Sequence, residues 1–223
     1  MPARLARWAR ERADDDAIVV LQDGERETHR LSFAALHRDA SAVAQRLGNV
    51  AGQGVLILSR SQADFAIAFL GCLYAGAIAV PCSSGPRNRG WERIAAIVAD
   101  AAPAAALGGA DVRDVLDKVA ALGVRSIDLS AQDAAGAGRI VSVARDAPAL
   151  LQYTSGSTGS PKGVVVTHGN LAANLEMLRA GFGVHDGSVF LTWLPLFHDM
   201  GLIANLLVAL HCGVPCILMP PIA

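Results

Sequence analysis

The chain has 223 residues, of which 52% are hydrophobic and 17% charged, and its formal net charge is −1. That apolar balance excludes disorder as the main state, and the length is enough to bury a substantial core. Lysines and arginines are scattered rather than clustered, which argues against a nucleic-acid surface or a polybasic membrane anchor.

Arg4 to Glu11 reads as a short, polar surface helix and not as the apolar region of a signal peptide. Ala17 to Gln22 and Glu27 to Leu31 are strand candidates joined at Asp23-Gly24, a hairpin signal. Ser32 stands where an N-cap belongs, ahead of a helix with Phe33, Leu36, Ala40, Val43 and Leu47 on one face. A buried strand follows at Val55 to Leu58. Phe65 to Cys82 is uncharged over a span long enough to test for membrane crossing. Gly71, Gly76 and Pro81 interrupt it, so it reads as a buried helix ending near Gly76 and then a strand to Pro81.

Ile94, Ile97 and Val98 mark the next helix and Ala104 to Leu107 a short strand. Val112, Val115, Leu116, Val119 and Leu122 mark another amphipathic helix, and Ser126 to Leu129 another strand. Ala131 to Gly138 is small and polar, the best linker in the chain, dividing it into a first α/β part (1–130) and a second part (139–223). Alternation of strand and helix from Val55 onward predicts an α/β fold, parallel sheets flanked by helices, with the opening hairpin in a separate or edge sheet.

Two apolar runs, Ala149 to Gln152 and Val164 to Val166, read as buried strands around Tyr153-Thr-Ser-Gly-Ser-Thr-Gly-Ser-Pro-Lys-Gly163. Glycines let backbone N–H groups approach a ligand closely. Thr154, Ser155, Ser157 and Thr158 add hydroxyl donors, and Lys162 adds a point charge suited to phosphate. An ordinary Gly/Ser hairpin loop rarely sets a lone lysine against a buried strand after so many small donors. The Walker A loop fails on spacing, since Pro161 precedes Lys162 and Gly163 follows it, with a strand rather than a helix beyond. The stretch is a polyphosphate loop of another architecture.

His168-Gly169-Asn170 caps a helix with Leu171, Leu175 and Leu178 inward, and Ser188 to Leu194 is a strand. That strand delivers a second polar cluster, His198-Asp199, among Trp193, Phe197, Met200 and Leu202. A carboxylate in the first turn of a helix is ordinary, which suits Asp199, whereas an imidazole in so apolar a loop needs a reason. An apolar wall with a polar head suits a fatty or aromatic carboxylate. Both clusters follow strands, so they could share one crevice beyond the strand ends. The segment from Gly201 reads as a helix to Leu210 and a strand from Val214 to Met219, not a membrane span. Cys72, Cys82, Cys212 and Cys216 lack convincing zinc spacing and read as buried free thiols in a reducing cytoplasm.

Tyr153 to Gly163 resembles the phosphate-loop signature of the adenylate-forming superfamily: acyl-CoA synthetases, luciferases and peptide-synthetase adenylation domains. Trp193 to Ile203, with His198-Asp199-Met200-Gly201, is most similar to the fatty acyl-AMP ligase branch. Phe69-Leu70-Gly71, Tyr74-Ala75-Gly76 and Val80-Pro81 extend the resemblance through the first half. It implies an incomplete N-terminal domain of the adenylate-forming fold spanning 1–223. It implies that Thr154, Ser155, Gly156, Ser157, Thr158, Gly159 and Lys162 hold the β- and γ-phosphates of ATP, with Mg²⁺ at Thr158. His198 would position a fatty carboxylate, Asp199 would orient His198 or its loop, and Trp193 and Met200 would line the acyl channel. Lys162 and His198 are the expected catalytic residues.

The reaction so implied is fatty acid activation to an acyl-adenylate, with transfer to the phosphopantetheine arm of an acyl carrier protein. The family continues with a Tyr-Gly-x-Thr-Glu segment, a ribose-binding aspartate and a C-terminal lobe with a catalytic lysine, none of which this sequence contains. The chain is therefore expected to be a truncated part that needs the rest of its enzyme. An acyl- or aryl-CoA ligase of the same superfamily, and a non-catalytic nucleotide- or partner-binding module, are the alternatives.

Overall fold

Pro2 opens the first helix, α1 (Pro2–Glu11), a position where its missing N–H leaves no helical bond unmade, and Leu5 is that helix's fully buried anchor. Strands β1 (Asp16–Leu21) and β2 (Glu27–Ser32) pair antiparallel through the expected turn, where Gly24 takes a φ of 87° that side chains avoid. Ser32 caps helix α2 (Phe33–Leu47) as expected: its Oγ accepts the Ala35 N–H at 3.2 Å. Phe33, Leu36, Ala40, Val43 and Leu47 are all buried.

The alternation that follows is β3 (Gly54–Leu58), α3 (Gln62–Tyr74), β4 (Ile78–Cys82), α4 (Trp91–Ala101), β5 (Ala105–Gly108), α5 (Arg113–Ala121) and β6 (Arg125–Asp128). Then come β7 (Pro148–Thr154), β8 (Lys162–Thr167), α6 (His168–Gly181), β9 (Phe190–Thr192), α7 (Asp199–Gly201), a π-helical segment (Leu202–Leu207), α8 (Val208–Cys212) and β10 (Cys216–Leu218). The computed structural model describes residues 1–83, 90–130, 140–154 and 161–220. They group into two compact units, one of residues 1–39 and 168–223 and one of residues 40–167. This grouping cuts across the halves 1–130 and 139–223, and the expected linker at 131–138 lies outside the described residues.

Residues 40–167 build a six-stranded sheet in the order β6-β5-β3-β4-β7-β8. All neighbours run parallel except β8, which returns antiparallel along β7. Every residue of β3 is buried, as a strand covered on both faces requires. Helices α4 and α5 cover part of the sheet with Ile94, Ile97, Val98, Val115, Leu116 and Val119. Ser61 Oγ caps α3 by accepting the Asp64 N–H at 3.2 Å, and Phe65, Phe69, Leu70 and Leu73 are buried along that helix. Each such side chain contributes about 1.5–3 kcal/mol by leaving water. Gly71 is where α3 comes closest to α2: a Cβ there would sit 2.5 Å from a Val43 methyl.

The other unit holds a four-stranded sheet in the order β2-β1-β10-β9, parallel apart from the opening hairpin. Both sheets are thus mixed, each with one antiparallel strand. Three expectations are corrected. Val164 and Val165 form a strand but are 51% and 54% exposed, because β8 is the last strand of its sheet's order. Leu122 does not continue the apolar face of α5; the helix stops at Ala121, the chain turns through Gly123 at φ 85°, and Leu122 is exposed. The strands read at Ser188–Leu194 and Val214–Met219 shorten to β9 and β10. Among the described residues no helix is long and apolar enough to cross a membrane.

Candidate functional site

The hairpin β7–β8 positions Thr154 and Lys162, the residues of the expected phosphate loop that the structure describes. Its register sets Thr154 directly across from Lys162 and Tyr153 across from Gly163. Thr154 and Lys162 are both exposed at this end, whereas Tyr153 is buried. Gly163 is a glycine for a visible reason: a Cβ there would meet the Tyr153 ring at 3.1 Å. The phenol end of the ring lies close against the opposite strand, where only a residue without a Cβ leaves it room. Ser155, Gly156, Ser157, Thr158 and Gly159 lie outside the described residues.

Helix α4 holds Tyr153 from two sides. Arg93 Nη2 donates to the Tyr153 carbonyl at 3.1 Å, and the Tyr153 hydroxyl donates to Asp100 Oδ2 at 2.5 Å. Burial, aided by the Asp100 carboxylate, pushes the phenol's pKa up, so it stays a neutral donor. Sequence reading assigned nothing to Arg93 or Asp100. Their spacing, about two turns on one helix, was the available signal, but it names no partner.

The second cluster is built by a tight loop. Thr192, buried at the end of β9, accepts the Leu194 N–H on Oγ1 at 3.1 Å. The His198 N–H donates to Pro195 O at 3.1 Å, and His198 O accepts the Leu202 N–H at 2.9 Å. Leu196 is buried and anchors the loop. Gly201 closes it, since a Cβ there would stand 2.5 Å from Pro195 O and 2.9 Å from Leu194 O. No side chain fits against two carbonyls at that range; in the sequence Gly201 stands out only as part of the His198-Asp199-Met200-Gly201 motif.

His198 is not embedded among apolar side chains. It is exposed, with its ring centroid 4.6 Å from that of Phe197, and Trp193 and Met200 are 56% and 58% exposed beside it in sequence. The exposed Asp199 carboxylate accepts the Met200 N–H on Oδ1 at 2.8 Å, the ordinary use of a carboxylate at a helix start. Among the described residues that oxygen has no bond to His198. The helix that follows widens into the π-helical segment, where Asn205 Nδ2 donates to Met200 O at 2.8 Å. A π-helical turn holds more backbone per turn and recurs near functional sites.

Among the described residues no group of three or more His, Cys, Asp or Glu side chains could hold a metal. The four cysteines are free, as expected; burial pushes the Cys82 and Cys216 thiols up to about 12, so both are inert as nucleophiles.

The sequence profile of the family described as AMP-binding enzyme matches residues 5–223. The long-chain-fatty-acid–AMP ligase FadD28 of Mycobacterium tuberculosis is 34% identical over 241 residues, covering 100% of this chain and 42% of that protein. The medium-chain-fatty-acid–acyl-carrier-protein ligase JamA of Moorena producens is 32% identical over 226 residues, covering 93% of this chain and 37% of that protein. A solved structure, the fatty acyl-adenylate ligase of L. pneumophila in complex with acyl adenylate and pyrophosphate, matches with a TM-score of 0.89 at 31% identity. That match covers 99% of this chain and 39% of the other. The chain thus spans about two fifths of the length of these curated relatives.

Proposed function

We propose, since the chain belongs to the AMP-binding enzyme family, that it serves ATP-dependent activation of a fatty acid to an acyl-adenylate. Pyrophosphate leaves, and the phosphopantetheine thiol of a carrier protein then attacks the acyl carbonyl, forming a thioester as AMP leaves and the thiol proton is lost. The observation that carries this reading is the hairpin end at Thr154 and Lys162. A hydroxyl and an ammonium stand across from each other there, both exposed, on a strand pair whose next position is a glycine. This donor set suits a polyphosphate, and the connection between them contributes Ser155, Gly156, Ser157, Thr158 and Gly159 to the proposed β,γ-phosphate site.

In the proposed reaction a carboxylate oxygen attacks the α-phosphorus. The bond from phosphorus to the bridging oxygen breaks, and pyrophosphate leaves with that electron pair. Both reactants are anions and no proton need move, so alignment and charge compensation dominate. Lys162 compensates charge on the departing phosphates. His198 positions the carboxylate, which its exposure permits, Asp199 holds the loop, and Trp193 and Met200 line the acyl path. Mg²⁺ arriving with the nucleotide would supply further charge neutralisation at Thr158.

Carrier-protein transfer is supported by the resemblance to JamA, a fatty-acid–acyl-carrier-protein ligase by name. The test supplies the purified protein with ATP, a labelled fatty acid, and either a phosphopantetheinylated carrier protein or free coenzyme A. The expected result is acyl-adenylate that loads the carrier, reduced in Lys162→Ala and His198→Ala variants that remain folded. Label appearing in acyl-CoA instead would move the reading to a CoA ligase. ATP consumption indifferent to the acid would overturn it.

A further inference from the structure

Tyr153 is fixed more heavily than a buried aromatic needs. Its ring is buried, and a phenylalanine would fill nearly the same space. Yet Arg93 holds its carbonyl, Asp100 holds its hydroxyl, and the phenol end of its ring lies close against Gly163 of the partner strand. The three contacts converge one residue before Thr154 and one residue after Lys162, the register pair at the hairpin's end. That end belongs to an edge strand: β8 follows β7 in the sheet order, and its Val164 and Val165 are more than half exposed. An edge hairpin with little burial on one strand frays easily. A loop that must present donors to a polyphosphate loses affinity when they are not held in place beforehand.

We propose that Arg93 and Asp100 are positioning residues that act through Tyr153, locking the two strand ends from which the polyphosphate loop springs. This rests on the reading of that hairpin as a polyphosphate site. Arg93 fixes the outgoing main chain. Asp100 fixes the ring, and through the ring's seat on Gly163 it fixes the returning strand. One helix therefore sets both Thr154 and Lys162, though neither Arg93 nor Asp100 touches the ligand.

The experiment combines two readouts on the purified protein and on the variants Arg93→Ala, Arg93→Lys, Asp100→Asn and Tyr153→Phe. The first is the dissociation constant for magnesium tripolyphosphate by calorimetry. The second is amide hydrogen exchange, peptide by peptide. Arg93→Ala and Tyr153→Phe should weaken tripolyphosphate about tenfold, with part of the loss recovered in Arg93→Lys. Exchange should rise in peptides carrying Tyr153–Thr154 and Lys162–Val164 while β3 and β5 keep wild-type protection. Unchanged affinity with wild-type exchange at the hairpin would overturn the proposal, as would exchange that rises equally across β3 and β5. Should Arg93→Ala fail to fold, Tyr153→Phe removes one oxygen, keeps the ring, and decides the question alone. If the unaltered protein binds no tripolyphosphate, the reading of the hairpin fails, while exchange still shows whether α4 orders its strand ends.

Discussion

At the scale of single residues, the hairpin proposed to hold phosphate stands out in the sequence because its chemistry is local. Hydroxyls, glycines and a lysine in one short loop announce themselves by type and spacing. The structure sets Thr154 across from Lys162 and leaves both exposed. Lys162→Ala should weaken magnesium tripolyphosphate about tenfold to hundredfold, the worth of one charge-assisted bond, with no change in melting temperature. Equal binding by the variant would remove Lys162 from the site. His198 was less legible: apolar neighbours in sequence suggested an embedded imidazole, but Trp193 and Met200 point out into exposure with it. The reason for Gly201 was not legible, since it arises from the carbonyls of Leu194 and Pro195 brought back by the fold. Gly201→Ala should cost about 1–3 kcal/mol by overpacking, read as a lower chemical-denaturation midpoint. A neutral result would show that the loop around His198 can yield.

At the scale of elements, helical periodicity found α2, α4 and α5, whose apolar faces repeat every turn, whereas β3, α3 and β4 stood out as continuous apolar runs punctuated by Gly and Pro. It missed the π-helical segment, since six residues from Leu202 to Leu207 are too few for the spacing of their apolar residues to distinguish one helical pitch from another. It overstated the burial of β8, because apolar residues alone do not say whether a strand is central or at an edge. Close helix packing was equally hidden. Gly71→Ala would drive a Cβ to 2.5 Å from Val43 and 3.2 Å from Ala40 O, and should lower stability by about 1–3 kcal/mol. Gly181→Ala at the end of α6 meets nothing within 4 Å and should be neutral or stabilising by up to about 1 kcal/mol. Thermal melts of the two variants check the opposite signs.

At the scale of the whole molecule, the titratable groups give a pH dependence with a definite sign. Burial lowers the pKa of His37, His168 and His211 below the usual 6.5. The unfolded chain then binds protons that the folded chain refuses, so stability is full above about pH 6.5 and falls as pH drops below it. His211 stands 3.3 Å from Glu176. Hydrogen bonds from Arg179 and His211 hold the Glu176 carboxyl at about 2, so its contribution persists to lower pH and is lost only toward that value. All four lie in the unit of residues 1–39 and 168–223. Urea midpoints taken from about pH 7 to pH 5 should decline, and His211→Gln should flatten the decline. A midpoint that rises on acidification would contradict the assignment.

The central claim is that this chain's hairpin and histidine loop serve carboxylate adenylation, and fatty-acid-dependent exchange of pyrophosphate into ATP tests it most directly. The expected result is exchange that requires the acid and is lost in Lys162→Ala while that variant stays folded. Exchange that proceeds without acid, or that persists undiminished in the folded Lys162→Ala variant, would contradict it.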